Sequence, residues 1–458
     1  MVKEKKIRTD VLIIGGGVSG ALAAITGKSF YLTKRFVLVR KESQSIDPCS
    51  IPYVYGRLGD TGQIRVSDDA LNRMGVSIRT NEVTSIDQIN QICETSDGVE
   101  IYFDKLILAL GSIPKIPDWL KGLHLENVFT IPKDYPYIEK MVAALSDCRK
   151  VVIVGGGFVG FEVAYELGGP EREVTIVESL PHLLGIAFDA EIGARAQLIL
   201  ERQGIDVICG MEAIGIAGDT RATGVLLSNG KTVDADAVIV ATGYYPQTSL
   251  AEQAGLPIGE TGAIPVDQYM RTVNPNILAA GDCAETRCFM TGRPNQIMLA
   301  STACAEARIA AVNLYQLSAI MTFTGTVPIF STAVGDTAFG AAGLTEKRAK
   351  DMKFGIYTAT YSGIDKHPTT LPGTHEQIVK LIVSRNSGMI LGGEVVGGAS
   401  TGELTNVIGF AIQNRMTVNS LLTAQIGTHS LLTAHPISYP LSVVAQTIAQ
   451  RLWNVSST

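Results

Sequence analysis

The sequence predicts an α/β protein with two Rossmann-like dinucleotide-binding domains and, behind them, a C-terminal α+β domain. Three observations predict it. A strand, a glycine loop and a helical pattern occur together twice, as "VLIIGGGVSGALAAI" at 11–25 and "VVIVGGGFVGFEVAY" at 151–165. Each repeat is followed by another short apolar strand that closes on a charged residue, Arg40 and Glu178. After about residue 325 no glycine loop recurs, and strands such as "EQIVKLIVS" and "MILGGEVVG" lead into the helical "TGELTNVIGFAIQNR".

In each repeat a β-branched strand enters Gly-x-Gly-x-x-Gly, at Gly15, Gly17 and Gly20 and again at Gly155, Gly157 and Gly160. Such glycines allow a tight turn, let backbone approach a pyrophosphate closely, and leave its charge at the positive end of a helix. A Rossmann unit also carries an acid about 20 residues further on, which accepts hydrogen bonds from the adenosine ribose. Glu178, closing "EVTIVES", is that acid in the second unit. Its carboxylate suits a free 2′-hydroxyl and repels a 2′-phosphate, so NADH is favoured over NADPH. In the first unit "RFVLVRKES" places Arg40 where the acid belongs, with Glu42 two residues on. Either Glu42 substitutes from the same strand face or Arg40 contacts the adenosine itself. The sequence leaves both open.

The remaining elements repeat this logic. "FDKLILALGSIPKIP" (103–117) and "ADAVIVATGYYP" (235–246) each read as a buried strand running into a proline-marked crossover, and "NPNILAAGDCAE" (274–285) ends a short strand at Gly281 and Asp282.

A chain of 458 residues exceeds one ordinary core. Its net charge of −6 carries no basic excess, which argues against nucleic acid and anionic membrane as partners. With 46% apolar and only 18% charged residues, much of the surface is expected to be covered by cofactor or another subunit. The apolar run after the charged "MVKEKKIRTD" is broken by glycines, so it reads neither as a signal peptide nor as a membrane span. The expected location is cytoplasmic, without membrane insertion. Seven cysteines do not form a secreted disulfide framework. Cys283 and Cys288 have no histidine nearby and no second pair at metal spacing, so no metal site is expected.

Cys49, in "IDPCSIPYVYG", is a buried spectator, half of a disulfide or a reactive thiol on residue type alone. Taken together, the motifs above resemble the pyridine nucleotide-disulfide oxidoreductases, flavoproteins with two dinucleotide folds, over nearly the whole chain. The resemblance implies an FAD-binding domain at 1–115 and 247–324, an NAD(P)H-binding domain at 116–246, and a domain at 325–458 that forms a homodimer. It implies that Gly15, Gly17 and Gly20 hold the FAD pyrophosphate, that the chain closes over the cofactor near Gly111 and Ser112, and that Asp282, after Gly281, binds the ribityl chain.

The disulfide-reducing branch of this family carries Cys-x-x-x-x-Cys, but position 54 is Val. "CSIPY" is instead similar to the Cys-x-x-Pro-Tyr of the single-cysteine branch, which includes coenzyme A-disulfide reductases, NADH oxidases and peroxidases, and persulfide reductases. Pro48 and Ser50 depart from that branch's usual neighbours. The resemblance makes Cys49 a redox thiol beside the flavin, which must ionise to react. It also implies that Phe158 shields the flavin until nicotinamide displaces it, and that Glu162 lies at the flavin–nicotinamide contact. His435 resembles the family's acid–base histidine, although Pro440 stands where a glutamate should follow, and Tyr439 is the alternative proton donor.

The expected function is NADH-driven reduction, through FAD and Cys49, of a small-molecule acceptor: a disulfide, persulfide or polysulfide. The alternatives are an NADH oxidase or peroxidase, and an electron-transfer flavoprotein subunit of a larger redox complex.

Overall fold

The computed structural model describes residues 5–456; the "MVKE" that begins the charged N-terminal stretch and residues 457–458 lie outside it. The chain divides into two compact units, Met1–Pro117 with Phe129–Asp147 and Thr242–Thr326, and Asp118–Val128 with Cys148–Ala241 and Val327–Thr458.

The first unit is built on a seven-stranded sheet. Ser77–Thr80, Phe36–Arg40, Lys6–Ile14 and Glu100–Leu108 run parallel in that order, and Ile277–Ala279 pairs with the far end of the last. Ile92–Thr95 and Val83–Asp87 extend it antiparallel. Val11, Leu12 and Ile13 are fully buried, as parallel strands covered on both faces require. The helices Val18–Phe30 and Ala300–Val312 lie side by side, and Ala23, Ala24, Ala307 and Ala311 are small enough to let them approach. Gly27 lets the first helix approach the sheet: a Cβ there would come within 2.6 Å of Phe36.

The two proline-marked crossovers meet. Ser112–Pro114 and Tyr244–Pro246 form a two-stranded antiparallel pair, and Lys115 N–H donates to the Gly243 carbonyl at 2.8 Å.

In the second unit Asp206–Cys209, Glu173–Glu178, Lys150–Val154 and Ala237–Val240 are adjacent parallel strands in that order. A small antiparallel sheet, Ala213–Ala217, Gly224–Leu227 and Thr232–Asp234, shares one apolar cluster with them. The same unit holds a five-stranded antiparallel sheet in the order Ile329–Val334, Thr337–Gly343, Ile390–Gly397, Glu376–Ser384, Ile356–Ile364. Thr401–Gln413 packs on one part of it, and the helix Pro440–Ser456 on another through Leu441, Val444, Ala445 and Ile448, a helical-period stripe that is fully buried.

A buried lysine joins the parallel and antiparallel parts of this unit. Lys380 Nζ lies 2.9 Å from Asp189, 2.5 Å from Glu191 and 3.0 Å from Glu346. These partners hold its ammonium charged against the cost of burial, whereas Glu394, 3.7 Å away and itself buried, is pushed up to about 8. Asp189, Glu191 and Glu394 are, among the described residues, a carboxylate group close enough to share a cation; the lysine ammonium is the cation they surround.

Among the described residues no helix is long and apolar enough to cross a membrane.

Candidate functional site

The two glycine loops are built alike. Gly15 and Gly155 have φ of +113° and +112°, a left-handed turn that suits glycine, and each N–H donates at 2.8 Å to the adjacent strand, at Val39 and Val177. Gly17 and Gly157 have ordinary φ values of −72° and −73°, and a Cβ at either would meet no atom of the chain within 4 Å. The fold itself does not demand glycine at those two positions. A ligand pressed against the backbone does, so both loops fit a dinucleotide pyrophosphate.

At the end of the second strand Glu178 is buried, and its Oε2 accepts the Gly156 N–H at 2.5 Å while Oε1 accepts the Leu180 N–H at 2.6 Å. The first unit differs from the expectation for Glu42. Its strand ends at Arg40, Lys41 begins a bend, and Glu42 is exposed beyond it, so Glu42 does not share the strand face with Arg40. Arg40 is 5% exposed and lies against Gly16, with its guanidinium paired to Asp68 at 2.6 and 2.7 Å.

Gly111 and Gly281 also adopt positive φ, +72° and +80°. They present Ser112 and Asp282, which the structure brings together: Ser112 Oγ donates to Asp282 Oδ2 at 2.7 Å. Lys133 Nζ donates to the same oxygen at 2.7 Å and to Ser112 Oγ at 2.9 Å. Behind them Gly281 N–H donates to Glu306 at 2.8 Å, whose carboxyl burial pushes up to about 8. This constellation offers a carboxylate, a hydroxyl and an ammonium to a polyhydroxyl chain.

Cys49 is exposed in the 3₁₀ run Pro48–Tyr55 of the first unit. Asp47 caps that run, accepting the Cys49 N–H at 3.1 Å and the Ser50 hydroxyl at 2.6 Å, and Pro48 occupies the first position, where no N–H is needed. The segment is therefore a capped turn that carries the exposed residue Cys49. Burial pushes the Cys93 thiol up, and Cys283, fully buried and bonded to the Leu108 carbonyl at 3.4 Å, is pushed up to about 12; both are ill suited to thiolate chemistry.

In the second unit Phe158 and Glu162 lie one turn apart on the helix Phe158–Leu167. Phe158 stacks on Phe330 with ring centres 5.1 Å apart, and Thr332 Oγ1 donates to Glu162 Oε1 at 2.6 Å. Burial raises the Glu162 carboxyl to about 7, with Glu166 adding repulsion and the Thr332 hydroxyl opposing. His435 is exposed at the start of the turn Pro436–Ser438, stands edge-to-face against His367 at 5.1 Å, and accepts the Ile437 N–H through Nδ1 at 3.3 Å. Tyr439 is half-buried, which raises its phenol pKa.

Sequence reasoning missed Asp47, Asp68, Lys133, Glu306, Phe330 and Thr332. Only Asp47 carried a local signal, an Asp-Pro pair of the kind that starts a helical turn. The others act through long-range contacts.

Comparison with known proteins gives the family. A family model described as pyridine nucleotide-disulphide oxidoreductase matches residues 9–307, and one for the dimerisation domain of the same family matches residues 329–435. An NADH oxidase of Methanocaldococcus jannaschii is 31% identical over 97% of this chain and 99% of its own. A CoA-dependent NAD(P)H sulfur oxidoreductase of Pyrococcus abyssi is 31% identical over 86% and 88%. The solved structure of an NAD-dependent persulfide reductase from A. fulgidus superposes with a TM-score of 0.89 at 28% identity, covering 96% of this chain and 83% of that one. The chain belongs to the pyridine nucleotide-disulphide oxidoreductase family, whose members are FAD- and NAD(P)H-dependent oxidoreductases.

Proposed function

We propose that this protein uses NADH to reduce a small disulfide, persulfide or polysulfide through Cys49. The observation that carries the reading is an exposed cysteine on a capped turn in the compact unit that also holds the first glycine loop, with Val54 in place of a second cysteine. Bound at the first loop, FAD supplies the capacity to take two electrons from NADH and pass them on.

The chain's own residues do the rest. Gly15, Gly17 and Gly20 admit the FAD pyrophosphate, Asp282 with Ser112 and Lys133 takes the ribityl hydroxyls, and Gly155, Gly157 and Gly160 with Glu178 hold NADH. Glu162, titrating near pH 7, holds or releases a proton at the nicotinamide, and the Phe158 ring closes that site. The Cys49 thiolate attacks one sulfur of the acceptor, forms a mixed disulfide and expels the other half as a thiolate, which the partner subunit's His435 or the partner subunit's Tyr439 protonates; two electrons then cleave the mixed disulfide, releasing the second half as a thiolate that takes up a proton. The electron pair that restores the Cys49 thiolate originates in NADH. This chemistry suits the cytoplasm, where the surrounding thiol pool is reduced.

An NADH oxidase is the second reading, favoured by the relative of that name that matches almost end to end.

The test is anaerobic reduction of the purified flavoprotein by NADH, followed by a panel of acceptors, for wild type and Cys49→Ser. The variant is expected to keep FAD and its reduction by NADH, and to lose turnover on sulfur acceptors by orders of magnitude. Wild-type turnover of the variant on every sulfur acceptor would remove Cys49 from the mechanism and leave oxygen reduction or electron transfer.

A further inference from the structure

The two glycine loops meet their neighbouring strands in the same register. Ile14 pairs with Val39 and Val154 with Val177, so Arg40 and Glu178 occupy equivalent places, each one residue further on. Each lies under the middle glycine: a Cβ on Gly16 would come within 2.5 Å of Arg40, and one on Gly156 within 3.0 Å of Glu178. The second loop therefore has a carboxylate where the first has a guanidinium.

A guanidinium has five N–H donors, and those of Arg40 can be followed one by one. Nη1 donates to Asp68 Oδ1 at 2.6 Å and Ser45 Oγ at 3.0 Å, and Nη2 to Asp68 Oδ2 at 2.7 Å and the Ser43 carbonyl at 3.2 Å. The fifth, on Nε, has no partner among the described residues and is buried away from solvent. Arg40 has no solvent-facing donor left unpaired for an adenosine.

Asp68 is in the opposite condition. Each of its oxygens takes one N–H from Arg40, which leaves lone pairs on both, and its side chain is 31% exposed against 4% for Arg40. It stands at the start of the short helix Asp69–Arg73 yet makes no capping bond, and the Ser67 hydroxyl accepts the Asp69 N–H instead. The bidentate pair fixes the plane of the carboxylate and leaves its outer edge to solvent.

We propose that Asp68, oriented by Arg40, is the carboxylate that accepts the ribose hydroxyls of the FAD adenosine, the task that Glu178 has for the nucleotide of the second loop. The inference rests on the assignment of the first loop to FAD. The charges are exchanged: the acid has moved off the strand end to Asp68, and the cation now at the strand end positions it.

The experiment titrates flavin-stripped protein calorimetrically with FAD and with FMN, which lacks the adenosine. Asp68→Asn is expected to weaken FAD roughly 10- to 100-fold, the loss of charge-assisted hydrogen bonds, and to leave FMN unchanged. Because this variant strands a buried guanidinium, the double variant Arg40→Glu with Asp68→Ser is measured beside it. It restores the arrangement of the second loop and is expected to bind FAD within a few-fold of wild type. Equal losses for FAD and FMN, unchanged FAD affinity in Asp68→Asn, or a folded double variant that still binds FAD poorly would each overturn the proposal and leave Asp68 as a counter-ion. Failure of the wild type to bind FAD would instead overturn the assignment of the loop itself.

Discussion

Glu162 shows how a single carboxyl couples stability to a candidate role. Its pKa rises from an ordinary 4.5 to about 7, chiefly through burial. Between those two values the folded chain retains a proton that the unfolded chain has released, so stability falls as pH rises through that window. Above it the cost is about 3 kcal/mol, at 1.36 kcal/mol per unit. Glu162→Gln should therefore unfold at higher temperature than wild type at pH 8, with the difference closing toward pH 4; a gap independent of pH would show that ionisation is not the cause. Glu178 makes a second prediction at this scale. Glu178→Ala should lower kcat/KM for NADH and move the NADH:NADPH preference toward NADPH by tenfold or more, since it removes the carboxylate that a 2′-phosphate would face; an unchanged ratio would place nucleotide choice elsewhere. A residue of this kind was legible when its partner was backbone at fixed spacing, as with Glu178 and the Gly156 N–H. Arg40 was legible only as an anomaly, because the Asp68 that explains it lies on another segment and no local pattern joins them.

The strand Ile329–Val334 and the helix Phe158–Leu167 match in pitch. Residues two apart on a strand and four apart on a helix are both spaced by about 6 Å on one face, and Phe330 and Thr332 meet Phe158 and Glu162 in that order. One strand face thus sets both the aromatic ring and the acid of the candidate nicotinamide site. Thr332→Val removes a donor that stabilises ionised Glu162, so the midpoint of the pH profile for NADH-dependent flavin reduction should rise by about one unit. Thr332→Ser should return it, and a profile that does not move would confine Thr332 to packing. At this scale the long periodic elements were read well: Glu376–Ser384 and Thr401–Gln413 form where the sequence predicts them. Ile329–Val334 was not singled out, because "IFSTAV" has too few residues and too mixed a pattern for periodicity to isolate it.

At the scale of the whole molecule the α/β class and the change of design after residue 325 followed from a repeat and its cessation, which need no tertiary information. Assembly is the part that side-chain pattern alone conceals. Phe410 and Leu432, in the region matched to the dimerisation domain, and Ile437 and Trp453 after it are between 65% and 86% exposed, apolar side chains that a partner subunit would cover. Light scattering should find a homodimer, and Phe410→Asp should shift it toward monomer and lower turnover with it; a fully active monomer at nanomolar concentration would refute that dependence. The clasp between Ser112–Pro114 and Tyr244–Pro246 bears on how such a molecule can change over time. It brings together the two points at which the chain departs at Lys115 and returns at Gly243, so everything threaded between them has neighbouring ends. A segment with neighbouring ends can be exchanged for a homologous one without restringing its host. Exchanging 118–128 and 148–241, the parts of this passage that lie in the second unit, for those of an NADPH-preferring relative, with 129–147 and its Lys133 kept, should then carry the nucleotide preference across while the flavin and Cys49 stay with the recipient, making donor choice and acceptor chemistry separately heritable.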